Sequence, residues 1–169
     1  GISVSVGLGT TTVFTALASG PGGGACSAPF EYVNPLTPPT GFEHEPNGTF
    51  ADANQVTADI DQPADVLGQL DGPVGPYNSD NFTFEVAAGR SIRIETFDWT
   101  GAACELLDTH IYLYPPTGQT GGNDADGGIG QCSLIDPTTN LYAANVAGGT
   151  YRLLVQGNGG AYRVRISVS

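Results

Sequence analysis

Asp108-Thr-His-Ile-Tyr-Leu-Tyr-Pro-Pro-Thr-Gly118, followed by Gly122-Asn-Asp-Ala-Asp-Gly-Gly128, decides how the rest of the chain is read. Ile111 and Leu113 alternate with Tyr112 and Tyr114, the period-two pattern of a half-buried strand. Pro115-Pro-Thr-Gly118 then predicts a turn, because proline fixes φ and glycine tolerates positive φ. The next segment reads as a second turn, with Asn123, Asp124 and Asp126 set among glycines. Such a turn is either a solvated Asn/Asp/Gly loop or a set of hard oxygen donors on a bendable backbone, which suits calcium.

The same alternation recurs outward from this strand. Asp65 to Leu70, Asn81 to Val86 and Ser91 to Phe97 read as strands, with Phe82, Phe84 and Val86 on one face. Ser133 to Asp136, Asn140 to Ala143, Tyr151 to Val155 and Ala161 to Val168 read likewise, the last two as a closing hairpin turned by Gly157 to Gly160. Phe50 to Val56 reads as one short helical turn, and Asp71 to Ser79 as a Gly/Pro loop. Short strands joined by glycine turns predict an all-β sandwich.

Ahead of this body, Ile2 to Leu17 alternates and is rich in β-branched residues, as a long strand or a strand kinked at Gly7 or Gly9 would be. Its apolar positions include Ile2, Val4, Val6, Leu8, Val13, Phe14 and Leu17. Ser19 to Gly24 reads as a flexible linker, and the prolines between Cys26 and Gly41 as extended chain with little ladder bonding. The expected division is therefore an N-terminal strand and linker over 1–42 and a sandwich over 43–169. A strand separated from its domain by a linker needs a sheet edge to satisfy its backbone.

Seventeen acids against five arginines and no lysine give a net charge of −12, which argues against phosphate backbones and anionic membranes as partners and makes divalent cations the natural counter-charge. The 169 residues suit one well-buried core, and the glycine and proline content suits a turn-rich β protein. No methionine occurs, even at position 1, so Gly1 is expected to be a processed end such as removal of a secretion signal leaves. Cys104 and Cys132 bracket the opening stretch and are either a disulfide, in an oxidising compartment, or two buried thiols. Cys26 is left over, free or bonded to another chain. Asn47-Gly-Thr49 and Asn81-Phe-Thr83 fit the glycosylation pattern.

Taken in order, Glu43-His-Glu-Pro-Asn-Gly-Thr49, Asn78-Ser-Asp-Asn-Phe-Thr-Phe84, Ala88-Gly89, Asp108 to Tyr114, Asn123-Asp-Ala-Asp126 and Gly148-Gly-Thr-Tyr-Arg-Leu-Leu-Val155 form a recognisable series. From Glu43 to the end, the chain resembles the bacterial pre-peptidase C-terminal domain family, which is similar to the collagen-binding domains of clostridial collagenases. The resemblance implies a secreted, jelly-roll-like β-sandwich, usually appended to proteases or other exported proteins and in several members calcium-binding. It implies calcium oxygens from Glu43, Glu45 and Asn47, completed by Asp80. It matches Asp108 to the aspartate opening the central strand, and Asp124 and Asp126 to the paired aspartates after it. Where many members carry an Asp-x-Asp pair, Asn78 stands in the first position, which lowers ligand charge. Residues 1–40 match nothing in the family.

Catalysis has little support. His44 and His110 are the only histidines, neither has a second nitrogen or sulfur ligand at a zinc spacing, and no nucleophile or phosphate-loop motif occurs. Trp99 with Tyr112, Tyr114 and Tyr142 is either an aromatic binding surface or a core tryptophan with half-buried tyrosines. The expected function is a secreted structural subunit whose N-terminal strand inserts into a neighbouring copy, giving an extracellular filament. The alternatives are an adhesion module for collagen or polysaccharide at the cell surface, and an accessory domain of a secreted hydrolase.

Overall fold

The computed structural model describes residues 11–19, 25–33, 39–60, 62–70, 79–119 and 121–169. The chain forms two compact units, Gly1–Pro38 and Pro39–Ser169.

In the first unit, β1 (Thr11–Ser19) pairs antiparallel with β2 (Ala25–Val33), from Thr11 opposite Val33 to Ser19 opposite Ala25. Val13, Phe14 and Leu17 therefore lie on a strand with a local partner, whereas Ile2, Val4, Val6 and Leu8 lie outside the described residues. This corrects the expectation of weak ladder bonding after Cys26. Pro29, opposite Thr15, has no N–H to donate, but the register continues on either side of it.

The second unit is an all-β sandwich of two five-stranded sheets. Its strands are β3 (Gly41–Phe42), β4 (Asn54–Gln55), β5 (Ala64–Leu70), β6 (Ser79–Val86), β7 (Ile92–Asp98) and β8 (Thr109–Tyr114). β9 (Gly122–Asp124), β10 (Leu134–Ile135), β11 (Gly149–Gly157) and β12 (Gly160–Val168) complete the unit. Sheet I runs β10-β7-β12-β5-β3, and sheet II runs β4-β6-β11-β8-β9. The alternation places Phe82, Phe84, Ile111, Leu113, Leu153 and Val155 from sheet II against Ile92, Ile94, Val164 and Ile166 from sheet I, all buried in one core. The Cys104–Cys132 disulfide is present and buried at the edge of that core.

Four local expectations change. β11 and β12 are not a hairpin: β11 lies between β6 and β8, and β12 between β5 and β7, so the Gly157–Gly160 turn carries the chain from one sheet to the other. Asn140 to Ala143 is a 3-10 turn over Leu141–Ala143, with the Asn140 side chain accepting from Tyr142 N, in place of a strand. The segment after Gly122 is an edge strand, Asp124 opposite Ile111, before it bends. Phe50 and its neighbours form a turn leading into β4, which pairs parallel with β6.

Candidate metal centre

The site begins where β3 leaves sheet I. The Glu43 N–H donates to Leu67 O at 3.0 Å, which keeps the chain beside β5 for one more residue and turns the Glu43 side chain over the sandwich end. Glu43 Oε1 accepts from the Gln69 N–H, and Oε2 accepts from Asn47 Nδ2 at 3.2 Å. Two residues on, Glu45 Oε2 accepts from the Asn47 N–H at 2.8 Å, and the Glu45–Pro46 peptide is cis. Asn47 is buried, and its carbonyl receives both the N–H and the side-chain amide of Asn81, at 3.1 and 2.9 Å. The Glu-x-Glu-x-Asn segment is thereby stitched to β6.

Asp80 arrives from the other sheet. On β6 it points inward with Phe82 and Phe84, so the alternation that buries those rings also buries a carboxylate. One oxygen from each of Glu43, Glu45 and Asp80 lies within 4.8 Å of the others. Among the described residues, two buried acceptors, Asn47 Oδ1 and Asp80 Oδ2, have no hydrogen-bond partner. An unsatisfied buried acceptor costs about 1–3 kcal/mol, so the site is incomplete as a set of protein groups. Oxygen donors alone, two of them orphaned, fit a hard divalent cation.

The electrostatics agree. Burial lifts the Asp80 carboxyl to about 8, with a hydrogen bond from Tyr162 acting in the opposite direction and the Glu43 charge adding to the rise. Burial also raises Glu43 above its ordinary value, against hydrogen bonds from Gln69 and Asn47. Tyr162, fully buried, is pushed well above the usual phenol value by burial and by these two carboxylates, so it stays a neutral donor; its hydroxyl lies 3.5 Å from Glu43 Oε2.

The motif pattern did not single out Tyr162. The available signal was Gly68, inside the otherwise alternating β5, because a strand glycine marks close approach by another group. Gly68 faces Tyr162 across the ladder, and a Cβ there would sit 2.4 Å from the Tyr162 ring.

Other candidates fall elsewhere. Asp108, Asp124 and Asp126 do not form a comparable group among the described residues. Asp124 Oδ2 instead accepts from the N–H groups of Gly127 and Leu134, at 2.7 and 2.8 Å, and so holds the bend after β9. Asn78 lies outside the described residues. Trp99, Tyr112 and Tyr114 do not share a surface. Trp99 follows β7 of sheet I and is 62% exposed, whereas Tyr112 and Tyr114 point outward from β8 of sheet II. Tyr112 stacks on His110 with ring centres 4.3 Å apart, and Tyr114 meets Phe50 edge-on at 5.1 Å, with the Arg152 guanidinium 4.4 Å from the Phe50 ring centre. Tyr142 is exposed on the 3-10 turn. Among the described residues no helix is long and apolar enough to cross a membrane.

No protein-family model and no curated protein matches the chain. Among solved structures, the chain is similar to the pre-peptidase C-terminal domain of a collagenase from Bacillus anthracis, at 20% identity over 69% of this chain and 94% of that one, with a TM-score of 0.46. It is also similar to PliG of Aeromonas hydrophila, a periplasmic inhibitor of g-type lysozyme, at 15% identity over 69% and 97% of the two chains, with a TM-score of 0.42.

Proposed function

We propose that the Pro39–Ser169 unit is a non-catalytic recognition module of an exported protein, built on a β-sandwich that holds one calcium ion between Glu43, Glu45, Asn47 and Asp80. The observation that carries the reading is a pair of acceptors without a partner among the described residues, Asn47 Oδ1 and Asp80 Oδ2, buried within a group of three carboxylates. The ion supplies charge neutralisation and coordination. The residues do the rest: Glu43 comes from the β3 end of sheet I and Asp80 from β6 of sheet II, so their shared ligand ties the two sheets at one end. The buried disulfide suits the periplasm or the cell exterior. An exposed Trp99 offers a contact residue whose loss leaves the core intact.

Thermal melting in calcium and in chelator tests the metal, and an unchanged melting temperature removes it. A panel of immobilised collagen and polysaccharides, probed with the wild type and Trp99→Ala, tests recognition. Retention on some surface that the variant loses is the expected result; no retention on any surface argues against a recognition module.

A second reading, self-assembly into a filament, draws on the N-terminal strands. Among the described residues β1 and β2 form a two-stranded sheet, a size that is marginal alone and leaves an outer edge on each strand. The local pairing weakens the donor-strand version, since β1 must leave β2 before it can insert elsewhere. Electron microscopy of the full chain and of a form lacking residues 1–38 decides the matter: filaments that need those residues support it, and a full chain that stays monomeric at high concentration removes it.

A further inference from the structure

Trp99 is the chain's one tryptophan, and two grooves of the sandwich meet at its ring. One, of about 540 Å³, runs past Ala103, Leu106 and Leu107. The other, of about 300 Å³, runs past Phe42, Leu67 and Gly68. Ala161 lines both, so the grooves form one trough with the indole as a ridge. Phe42 is 69% exposed and Leu106 91%, which with Trp99 puts three large apolar side chains in solvent along a single face. Such clustering marks an interaction surface more often than chance exposure does.

The charges around the trough have one sign. Asp98 and Glu105 line the larger groove, Glu43 in the smaller one belongs to the proposed calcium site, and no arginine lines either. A second copy of the chain would bring a further −12 and the same acids to this face, so it is a poor occupant. A sugar would need several polar side chains converging beside the ring, and Asp98, its neighbour in the chain, is already committed. Asp98 Oδ1 accepts from Thr100 N, Thr100 Oγ1 and Ala102 N, at 2.9, 2.6 and 2.9 Å. Apolar walls with an acidic rim complement a chain that alternates apolar with cationic side chains. The indole face itself attracts an ammonium or guanidinium.

The face is also held in advance. Cys104 is bonded to Cys132, its N–H donates to Ile129 O at 3.1 Å, and its carbonyl accepts from Gln131 N at 2.8 Å. The Trp99–Leu107 segment is thus fastened to its neighbours at its middle, which lowers the ordering cost of binding. We infer that this trough docks an extended segment of another protein carrying lysine or arginine beside apolar residues. The inference rests on the recognition-module reading and adds to it the partner's chemistry and the face that takes it.

The test uses the full chain in calcium with three probes: a fluorescein-labelled Lys-Pro-Leu repeat peptide, its Glu-Pro-Leu counterpart, and cellohexaose. With a single tryptophan, emission reports Trp99 alone, and anisotropy of the labelled peptides gives affinity for variants that lack it. The lysine peptide is expected to saturate with a blue shift and to weaken about ten-fold or more at roughly 0.5 M salt. Glu105→Gln, Leu106→Ala and Trp99→Ala, all at exposed positions and checked by unchanged melting temperature, should each weaken it, Trp99→Ala by about ten-fold or more. Equal binding of the glutamate peptide, or no binding of the lysine peptide, overturns the proposal. If cellohexaose alone shifts the emission, the partner chemistry is wrong while the recognition reading stands. If the lysine peptide binds but calcium leaves the melting temperature unchanged, the docking face stands and the metal reading falls.

Discussion

Replacing Asp80 with asparagine should raise stability without calcium and shrink the further gain that calcium gives. The carboxyl sits at about 8 in the folded chain against an ordinary 3.8, raised first by burial and then by Glu43, while the Tyr162 hydrogen bond lowers it. Because the folded value is the higher one, its contribution is fully present below about pH 4 and is lost as pH rises toward 8. From 3.8 to neutrality is about three pKa units at about 1.4 kcal/mol each, so the metal-free site is loaded by on the order of 2–4 kcal/mol at pH 7, the lower figure allowing for a proton shared with Glu43. Asp80→Asn keeps the shape and one oxygen and removes that load. In chelator at pH 7 the variant should melt about 6–20 °C above the wild type, taking roughly 3–5 °C per kcal/mol for a unit of this size. Calcium at a hundred times its Kd stabilises the wild type by about 2.7 kcal/mol; a ten-fold weaker site at the same concentration gains about 1.4. The assay is differential scanning calorimetry across pH 4 to 8, in chelator and in calcium. A variant that melts below the wild type in chelator and keeps the full calcium increment would refute the reasoning, since the three carboxylates would then neither repel one another nor share an ion.

Gly68→Ala should cost about 1–3 kcal/mol, read by denaturant unfolding, because its Cβ would lie 2.4 Å from the buried Tyr162 ring, and it should also weaken calcium binding by moving the hydroxyl off Glu43. Paired Cys104→Ala and Cys132→Ala substitutions should cost about 3–4 kcal/mol for a loop of this length, measured the same way; an unchanged midpoint would mean the bridge constrains nothing in the unfolded chain. Asp65→Ala should be among the most damaging single changes, about 3–5 kcal/mol, because one buried carboxylate serves both Arg163 and Arg165. Loss of under about 1 kcal/mol in urea unfolding would show that ion pair to be incidental.

The alternation in Ser91 to Phe97, Asn81 to Val86 and Ala161 to Val168 was enough for the strands, because a period of two is set by the backbone itself. It named part of the buried set as well: Phe82, Phe84, Val86, Ile111 and Leu113 all enter the core. The acidic and amide residues of the candidate metal centre were named only through the family resemblance, in which Glu43, Glu45 and Asn47 sit in one short segment. Asp124, after β8, carried an equally suggestive pattern and came to a different end, because a carboxylate near free N–H groups caps the bend it sits on.

By itself, then, the amino-acid order determined which segments extend, which face of each is apolar, and that the chain is an acidic all-β sandwich. Alternation says nothing about the neighbour on either edge. Only the tertiary structure decided that β11 and β12 part into different sheets, that β1 takes β2 as its partner, and that Trp99 stands apart from Tyr112 and Tyr114. Edge pairing is a contest among strands with similar faces, settled by how all of them pack at once. The same packing brings Asp80 and Tyr162, far from Glu43 in the chain, to one carboxylate cluster.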